Sequence, residues 1–402
     1  MKLKQQPEDF RVEELTDVVA GETGDFALYR LDKTGWTTPD ALSAVRRRWQ
    51  LDHRRLSYGG LKDRHAVTAQ HLTVFRGPKR NLAHERITVT YLGQVAEPFT
   101  AQDIKANRFT LTLRSMDDAA VARAEAALRE VADAGLPNYF DDQRFGSVSS
   151  GVGGTSPGAP GTPAGAEEFV AKEMVFGRFE RALWLALAAP YEHDRADAKR
   201  EKATLVELWG KWPECQAKLP KGHARSLVSY LAAHPTDFKG AVARLRPELQ
   251  GLYLSAYQSF LWNKMLAVWL NTTIGAENLT PVELKLGAVP APVRLPDEHR
   301  AAWASLTLPL PSARVKPEPG APWLPIVEEA LRGEGLSLAE LKVKGMQKPF
   351  FSKGERPASM RAENLTSTVG ADELNKGRKK LVLGFDLPRG CYATMLVKRV
   401  TS

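Results

Sequence analysis

Asp63 is the residue of this chain whose type and surroundings best suit covalent or acid–base chemistry. It stands between Lys62 and Arg64 and follows the pair Gly59-Gly60. Flanking cations keep a carboxylate ionised even where it is partly desolvated. Glycines permit backbone angles closed to other residues and a close approach of another backbone or a ligand. The stretch suits a nucleophile or base on a loop that receives an anionic substrate such as RNA, although a solvated charge cluster explains the same residues.

Several segments alternate between apolar and polar residues, which is typical of half-buried strands. This pattern predicts strands at 26–31, 71–76, 86–92, 108–114, 380–385 and 393–400. Strands that are followed by helices indicate mixed α/β layers.

Helical spacing predicts three helices between these strands. The first begins with Thr38 as its N-cap and Pro39 at its first position. The second covers 121–131 and ends before Gly135. The third covers 254–268 and is apolar on almost every face, so we expect it to be buried in the core.

Composition favours a polyanionic partner. The 402 residues carry a net charge of +9, which does not by itself distinguish RNA, DNA and acidic lipid. Cys215 and Cys391 stand far apart, which argues against a disulfide framework or a zinc site. No apolar run approaches the roughly 18 residues of a membrane helix, and the first residues lack a signal core. We therefore expect a cytoplasmic protein.

Residues 60–70 resemble the G-x-K-D-x-x-A-x-T-x-Q motif of the tRNA pseudouridine synthase D family. The aspartate of that motif is the family's catalytic residue, and Asp63 takes its place. Residues 10–14 are similar to the family's F-x-V-x-E motif, in which the phenylalanine, here Phe10, contributes to the RNA-binding pocket.

Two further stretches carry the resemblance. Residues 138–146 are similar to N-x-F-G-x-Q-R-F-G, with Asp141 in place of a glycine. The resemblance assigns Asn138 and Phe140 to substrate binding. The edge of a strand with aromatic residues in the core is an alternative interpretation of residues 138–146. Residues 385–394 are similar to F-x-L-P-x-G-S-[YF]-A-T, with Tyr392 at an aromatic position that lines the active site.

The resemblance implies an α/β fold in which a mixed-sheet pseudouridine synthase catalytic domain carries an inserted, partly helical accessory domain. Residues 1–150 and 342–402 would form the catalytic domain, and 167–341 the insert. Residues 151–166 contain no charge and are rich in Gly, Ser, Pro and Ala, which is typical of a flexible linker.

The implied reaction is isomerisation of uridine to pseudouridine, at uridine 13 of tRNA. Asp63 would attack the ribose or remove a ribose proton, and the sequence does not distinguish these. Phe140 would stack on an extruded uracil whose edge Asn138 holds. Phe10 and Tyr392 would shape the pocket, and Lys62 and Arg64 would meet phosphates.

The resemblance further implies tRNA as the partner, a monomer and a reaction without a cofactor. No metal and no membrane attachment are expected, because the sequence shows neither a ligand cluster nor a long apolar run. One alternative is a catalytically inactive protein that binds tRNA as a folding chaperone. Another is a hydrolase that uses Asp63, but no partner acid stands at a suitable spacing.

Overall fold

The structure, a computed structural model, describes residues 1–146, 148–150, 167–191 and 194–402. The predicted linker at 151–166 lies outside these residues. The described chain forms two compact units. The first contains Met1–Asn138, Pro292–Leu295 and Ser359–Ser402, and the second contains Tyr139–Ala291 and Pro296–Ala358.

The strands of the described residues are β1 (Lys2–Leu3), β2 (Phe10–Leu15), β3 (Phe26–Thr34), β4 (Leu56–Tyr58), β5 (Val67–Phe75), β6 (Leu82–His84), β7 (Ile87–Val95), β8 (Ala106–Met116), β9 (Leu136–Pro137), β10 (Ser149–Ser150), β11 (Glu167–Glu168), β12 (Leu279–Leu284), β13 (Gly287–Pro292), β14 (Thr307–Pro309), β15 (Glu355–Pro357), β16 (Ser359–Met360), β17 (Glu363–Ala371) and β18 (Lys379–Pro388).

The α-helices of the same residues are α1 (Thr38–Trp49), α2 (Asp118–Ala134), α3 (Val170–Phe176), α4 (Phe179–Leu187), α5 (Ala196–Glu207), α6 (Trp212–Lys218), α7 (His223–Ala233), α8 (Phe238–Ala243), α9 (Pro247–Thr273), α10 (Asp297–Ser305), α11 (Leu324–Arg332) and α12 (Ala393–Thr401). The predicted α/β class is confirmed.

A ten-stranded mixed sheet forms the first unit. Its main order is β17-β18-β8-β2-β5-β3-β7-β6, while β1 pairs with β8 and β4 with β5. The β2–β5 pair is parallel, and the other pairs of this sheet are antiparallel. Strand β8 lies between β18, near the C-terminus, and β2, near the N-terminus, so both ends of the chain join one sheet.

Helix α1 covers one face of this sheet through its apolar side. Val45 and Trp49 pack with Tyr29, Leu72 and other buried residues of β3, β5 and β7. The predicted helix is confirmed, but its cap is one residue earlier than expected. The Thr37 side chain accepts a hydrogen bond from the Asp40 N–H, so Thr38 is the first helical residue rather than the cap.

The predicted strand at 393–400 is wrong, because this segment forms helix α12. The apolar residues Ala393, Leu396, Val397 and Val400 also repeat at helical spacing and are buried. The helix packs against α2, where Arg399 forms an ion pair with Glu130. Tertiary packing therefore decides between two periodicities that this short segment satisfies about equally. The other predicted strands and helices are present at or within a few residues of their expected positions.

Helix α9 forms the centre of the second unit. Tyr257, Leu261 and Trp262 are completely buried, and α3, α11 and β14 pack against this helix. The predicted burial of this apolar helix is confirmed. Among the described residues, no helix is both long enough and apolar enough to cross a membrane.

Candidate active site around Asp63

Asp63 lies in an irregular loop of the first unit that connects β4 to β5. Gly59 and Gly60 do not adopt left-handed backbone angles. Their freedom in backbone angles, one of the two reasons expected for glycines here, is therefore not used. Gly59 is instead required by close packing, since a Cβ there would lie 2.5 Å from Ile104 Cδ1 and 3.0 Å from the Thr100 carbonyl oxygen. The close approach predicted for this turn is therefore found at Gly59.

Buried polar side chains hold this loop in place. Thr38 Oγ1 accepts a hydrogen bond of 2.9 Å from the Lys62 N–H and donates one of 2.9 Å to Gln70 Oε1. Gln70 Nε2 donates to the Gly60 carbonyl oxygen at 3.1 Å. Thr38 and Gln70 are both fully buried. The glutamine that ends the motif thus stabilises the loop, a role that the sequence pattern alone does not reveal.

The carboxylate of Asp63 is held at both oxygens. Oδ2 accepts from Lys4 Nζ, and Oδ1 accepts from the His65 N–H at 2.9 Å. Partial burial opposes ionisation, but these hydrogen bonds and the Lys4 charge lower the pKa of Asp63 below its usual value. The side chain is 34% exposed, so an ionised oxygen is accessible from solvent.

Lys4 and Phe10 support this carboxylate together. Lys4 Nζ lies 4.0 Å from the centroid of the Phe10 ring, a cation–π distance. The Phe10 ring is buried and packs edge-on against Phe109. Sequence reasoning missed Lys4, because nothing in its local sequence links it to a residue 59 positions later.

Lys62 and Arg64 flank Asp63 but point to different surroundings. Lys62 Nζ lies 2.9 Å from Glu14 Oε2 and 2.8 Å from Asn107 Oδ1, and its side chain is only 10% exposed. Glu14 is buried, yet the His71 hydrogen bonds and the Lys62 charge lower the pKa of Glu14. Arg64 is exposed, and its Nε donates to the Gly35 carbonyl oxygen at 3.2 Å.

Comparison with known proteins identifies the family of this chain. The family model described as tRNA pseudouridine synthase D (TruD) matches residues 1–400. The chain belongs to the tRNA pseudouridine synthase D family. It is therefore a pseudouridine synthase, an isomerase that converts uridine to pseudouridine.

Relatives of this synthase match along nearly its whole length. A probable tRNA pseudouridine synthase D 1 of Methanococcus maripaludis is 29% identical over 100% of this chain and 99% of its own. A probable tRNA pseudouridine synthase D of Methanopyrus kandleri is 30% identical over 94% of this chain and 86% of its own. The crystal structure of a putative tRNA pseudouridine synthase D from Methanosarcina mazei matches with a TM-score of 0.74 and 25% identity, covering 100% of this chain and 93% of that one.

The remaining predicted site residues of the synthase lie outside the Asp63 loop. Asn138 is buried at the end of the first unit, and Tyr392 is half-buried immediately before α12. Phe140 belongs to the second unit. Of the predicted site residues, the structure places Phe10 and Asp63 against Lys4, and Lys62 against Glu14.

Phe140 is firmly fixed within the second unit. Its N–H donates to Asn263 Oδ1 and its carbonyl oxygen accepts from Asn263 Nδ2, both at 2.8 Å. The Phe140 ring stands edge-on to Trp262, with centroids 5.5 Å apart. The guanidinium of Arg356 lies 4.1 Å from the centre of the same ring. Phe140 is only 6% exposed, so a base can stack on this face only after Arg356 moves away.

Proposed function

We propose that this synthase isomerises uridine 13 of tRNA and that Asp63 is its catalytic carboxylate. The observation that supports this proposal is the state of the Asp63 side chain. It is ionised through Lys4 and His65, partly exposed, and carried by a loop with a buried framework. The relatives whose names contain tRNA pseudouridine synthase D support tRNA as the substrate.

The reaction requires a group that acts at the ribose. The bond between C1′ and N1 of the uracil breaks, the base rotates, and a new bond joins C1′ to C5. The C5 proton leaves and N1 regains a proton, so the sum is an isomerisation. Asp63 either bonds to C1′ and is later displaced, or accepts a ribose proton and later returns it. Its low pKa provides the free carboxylate that both routes need.

The roles of the other site residues follow from the resemblance to the family. Phe140 stacks on the extruded uracil and Asn138 holds its edge, since the target bond is inaccessible inside a stacked helix. Phe10 and Tyr392 shape the pocket. Arg64, which is exposed, meets a phosphate, whereas Lys62 reaches phosphate only by leaving Glu14 and otherwise anchors the loop. Residues 1–150 and 342–402, which include Asp63, form the catalytic domain, and the insert predicted at 167–341 forms the accessory domain.

The decisive experiment replaces Asp63 by asparagine, which keeps the shape and removes the charge. We expect Asp63→Asn to release no tritium from a tRNA transcript labelled at C5 of uridine, while filter binding shows retained affinity. Affinity survives because it comes largely from phosphate contacts over a basic surface. Asp17→Asn is the matched control, since Asp17 pairs with Lys105 on the exposed surface of the same unit.

Two results would contradict the proposal. Tritium release by Asp63→Asn at the wild-type rate would remove Asp63 from the chemistry and assign the reaction to another residue. A transcript with cytidine at position 13 tests the substrate position separately. It should release no tritium, and release from it at the usual rate would place the reacting uridine elsewhere.

A further inference from the structure

Lys33 is a fully buried lysine that the proposed mechanism does not use. It lies near the end of β3, and its side chain is only 2% exposed. Burial and the nearby Lys62 charge lower the pKa of Lys33 to about 8, although Asp63 opposes this shift. Lysines are almost never fully buried unless they are paired, so this one requires an explanation.

The ammonium of Lys33 donates to three backbone carbonyl oxygens. These belong to Trp36 at 2.9 Å, Asp63 at 3.0 Å and Lys62 at 3.3 Å. An ammonium has three N–H donors, so every donor has an acceptor. In the part of the chain that the structure describes, no carboxylate lies within ion-pair distance of Lys33 Nζ. Backbone dipoles therefore replace water around this cation.

Two of the three carbonyl groups belong to the loop that carries Asp63. This loop is irregular, so its carbonyl groups have no strand or helix partners, and an unpaired buried carbonyl is costly. Thr38 and Gln70 hold the residues before Asp63, while Lys33 holds the peptide of Asp63 itself. The peptide group determines where the Cα–Cβ bond points, so it also determines where the carboxylate points.

We infer that Lys33 is a positioning residue that fixes the backbone at Asp63 and thereby aims its carboxylate at the ribose. The inference rests on the proposed function, because it assigns Lys33 a role in the same reaction. Lys33 acts through backbone carbonyl groups and contacts neither the carboxylate nor the substrate. Its removal should therefore lower the rate of the chemical step without weakening tRNA binding.

The test replaces Lys33 by methionine, which has a similar length but no donors. We expect Lys33→Met to reduce the single-turnover rate of tritium release by about 10- to 100-fold, the effect of a small misplacement of a reacting group. The dissociation constant for tRNA should not change. Leu113→Ala is the matched control, since Leu113 is completely buried in β8. It should destabilise the same unit and keep the rate.

A structural measurement separates this inference from the assignment of Asp63. The His65 amide donates to Asp63 Oδ1, so its hydrogen exchange should become faster in Lys33→Met and stay unchanged in Leu113→Ala. If Asp63→Asn stays active while this amide exchanges faster in Lys33→Met, the catalytic proposal fails but the positioning of the loop stands. If the methionine variant does not fold, Lys33→Gln keeps two donors and should show a smaller loss of rate. The inference would be overturned if folded Lys33→Met released tritium at the wild-type rate and its His65 amide exchanged no faster than in the wild type.

Discussion

Arg114 offers a sharp test of what holds the two ends of the chain on one sheet. Its guanidinium is 3% exposed and pairs with Asp9 at 2.8 Å, Asp372 at 2.9 Å and Glu373 at 3.1 Å. Asp9 belongs to the N-terminal segment, and Asp372 belongs to the turn between β17 and β18. This buried cluster joins three distant parts of the sequence, so Arg114→Met should destabilise the first unit.

The expected loss is about 3–5 kcal/mol of the free energy of unfolding, because removal of one partner leaves buried charge uncompensated. Asp372 would still accept from the Ser115 N–H at 2.8 Å, the Leu374 N–H at 3.0 Å and Asn375 Nδ2 at 2.9 Å. Among the described residues, Asp9 would keep only its bond of 3.1 Å from the Gln6 N–H. Most of the loss should therefore come from Asp9, and Asp9→Asn combined with Arg114→Met should recover part of it.

Hydrogen exchange of the β8 amides in urea measures this free energy for the first unit alone. Lys105→Met is the matched control, because the Lys105 side chain is 64% exposed in its ion pair with Asp17. It should cost at most about 1 kcal/mol. Equal losses for Arg114→Met and Lys105→Met would refute the reasoning.

The same cluster predicts a dependence on pH. The hydrogen bonds and Arg114 lower the pKa of Asp372 below its usual value, despite its burial. A carboxyl group whose pKa is lowered by folding stabilises the protein above its unfolded pKa, and this contribution is lost as the pH falls. The wild-type protein should therefore lose stability below about pH 4. In Arg114→Met, the free energy of unfolding should fall less steeply as the pH is lowered.

Four further changes test other parts of the structure. Thr37→Ala removes the cap of α1 and should cost about 1 kcal/mol in urea denaturation; no change would remove Thr37 as a cap. Gly24→Ala should lower the melting temperature more than Gly60→Ala. Gly24 has φ +135°, and a Cβ there would lie 2.3 Å from a backbone carbonyl oxygen, whereas a Cβ at Gly60 would have no atom within 4 Å. Glu14→Gln should weaken the loss of stability on acidification, since the lowered pKa of Glu14 makes its contribution present at neutral pH and lost in acid; an unchanged acid profile would contradict this. Phe140→Ala should reduce turnover more than tRNA affinity, by about 1–3 kcal/mol of base stacking, and wild-type turnover would assign Phe140 to the core alone.

The sequence by itself determined the local elements and the family of the protein. Alternation predicted five of the ten strands of the main sheet, and helical spacing predicted α1, α2 and the buried α9. The motif around Asp63 indicated a pseudouridine synthase, and the family comparison confirmed it. These features could be predicted because each depends on residues that are close together in the chain.

Local patterns were insufficient where two structures fit the same residues. The segment at 393–400 satisfies strand and helix spacing, and contact with α2 selects the helix α12. The sequence left two uses of Gly59 open, unusual backbone angles or a close approach, and the neighbouring Ile104 side chain shows that the close approach requires a glycine there. In both cases the deciding contact comes from a distant part of the chain.

Only the tertiary structure decided what surrounds Asp63. Lys4 and Lys33 precede it by 59 and 30 residues, and neither carries a local signal of its role. The sheet positions them because β1, which Lys4 follows, pairs with β8, and β3, which carries Lys33, pairs with β5 at the end of the Asp63 loop. A carboxylate's pKa and direction depend on charges and donors within a few ångströms. Those neighbours are set by strand pairing, which the order of residues along one segment does not specify.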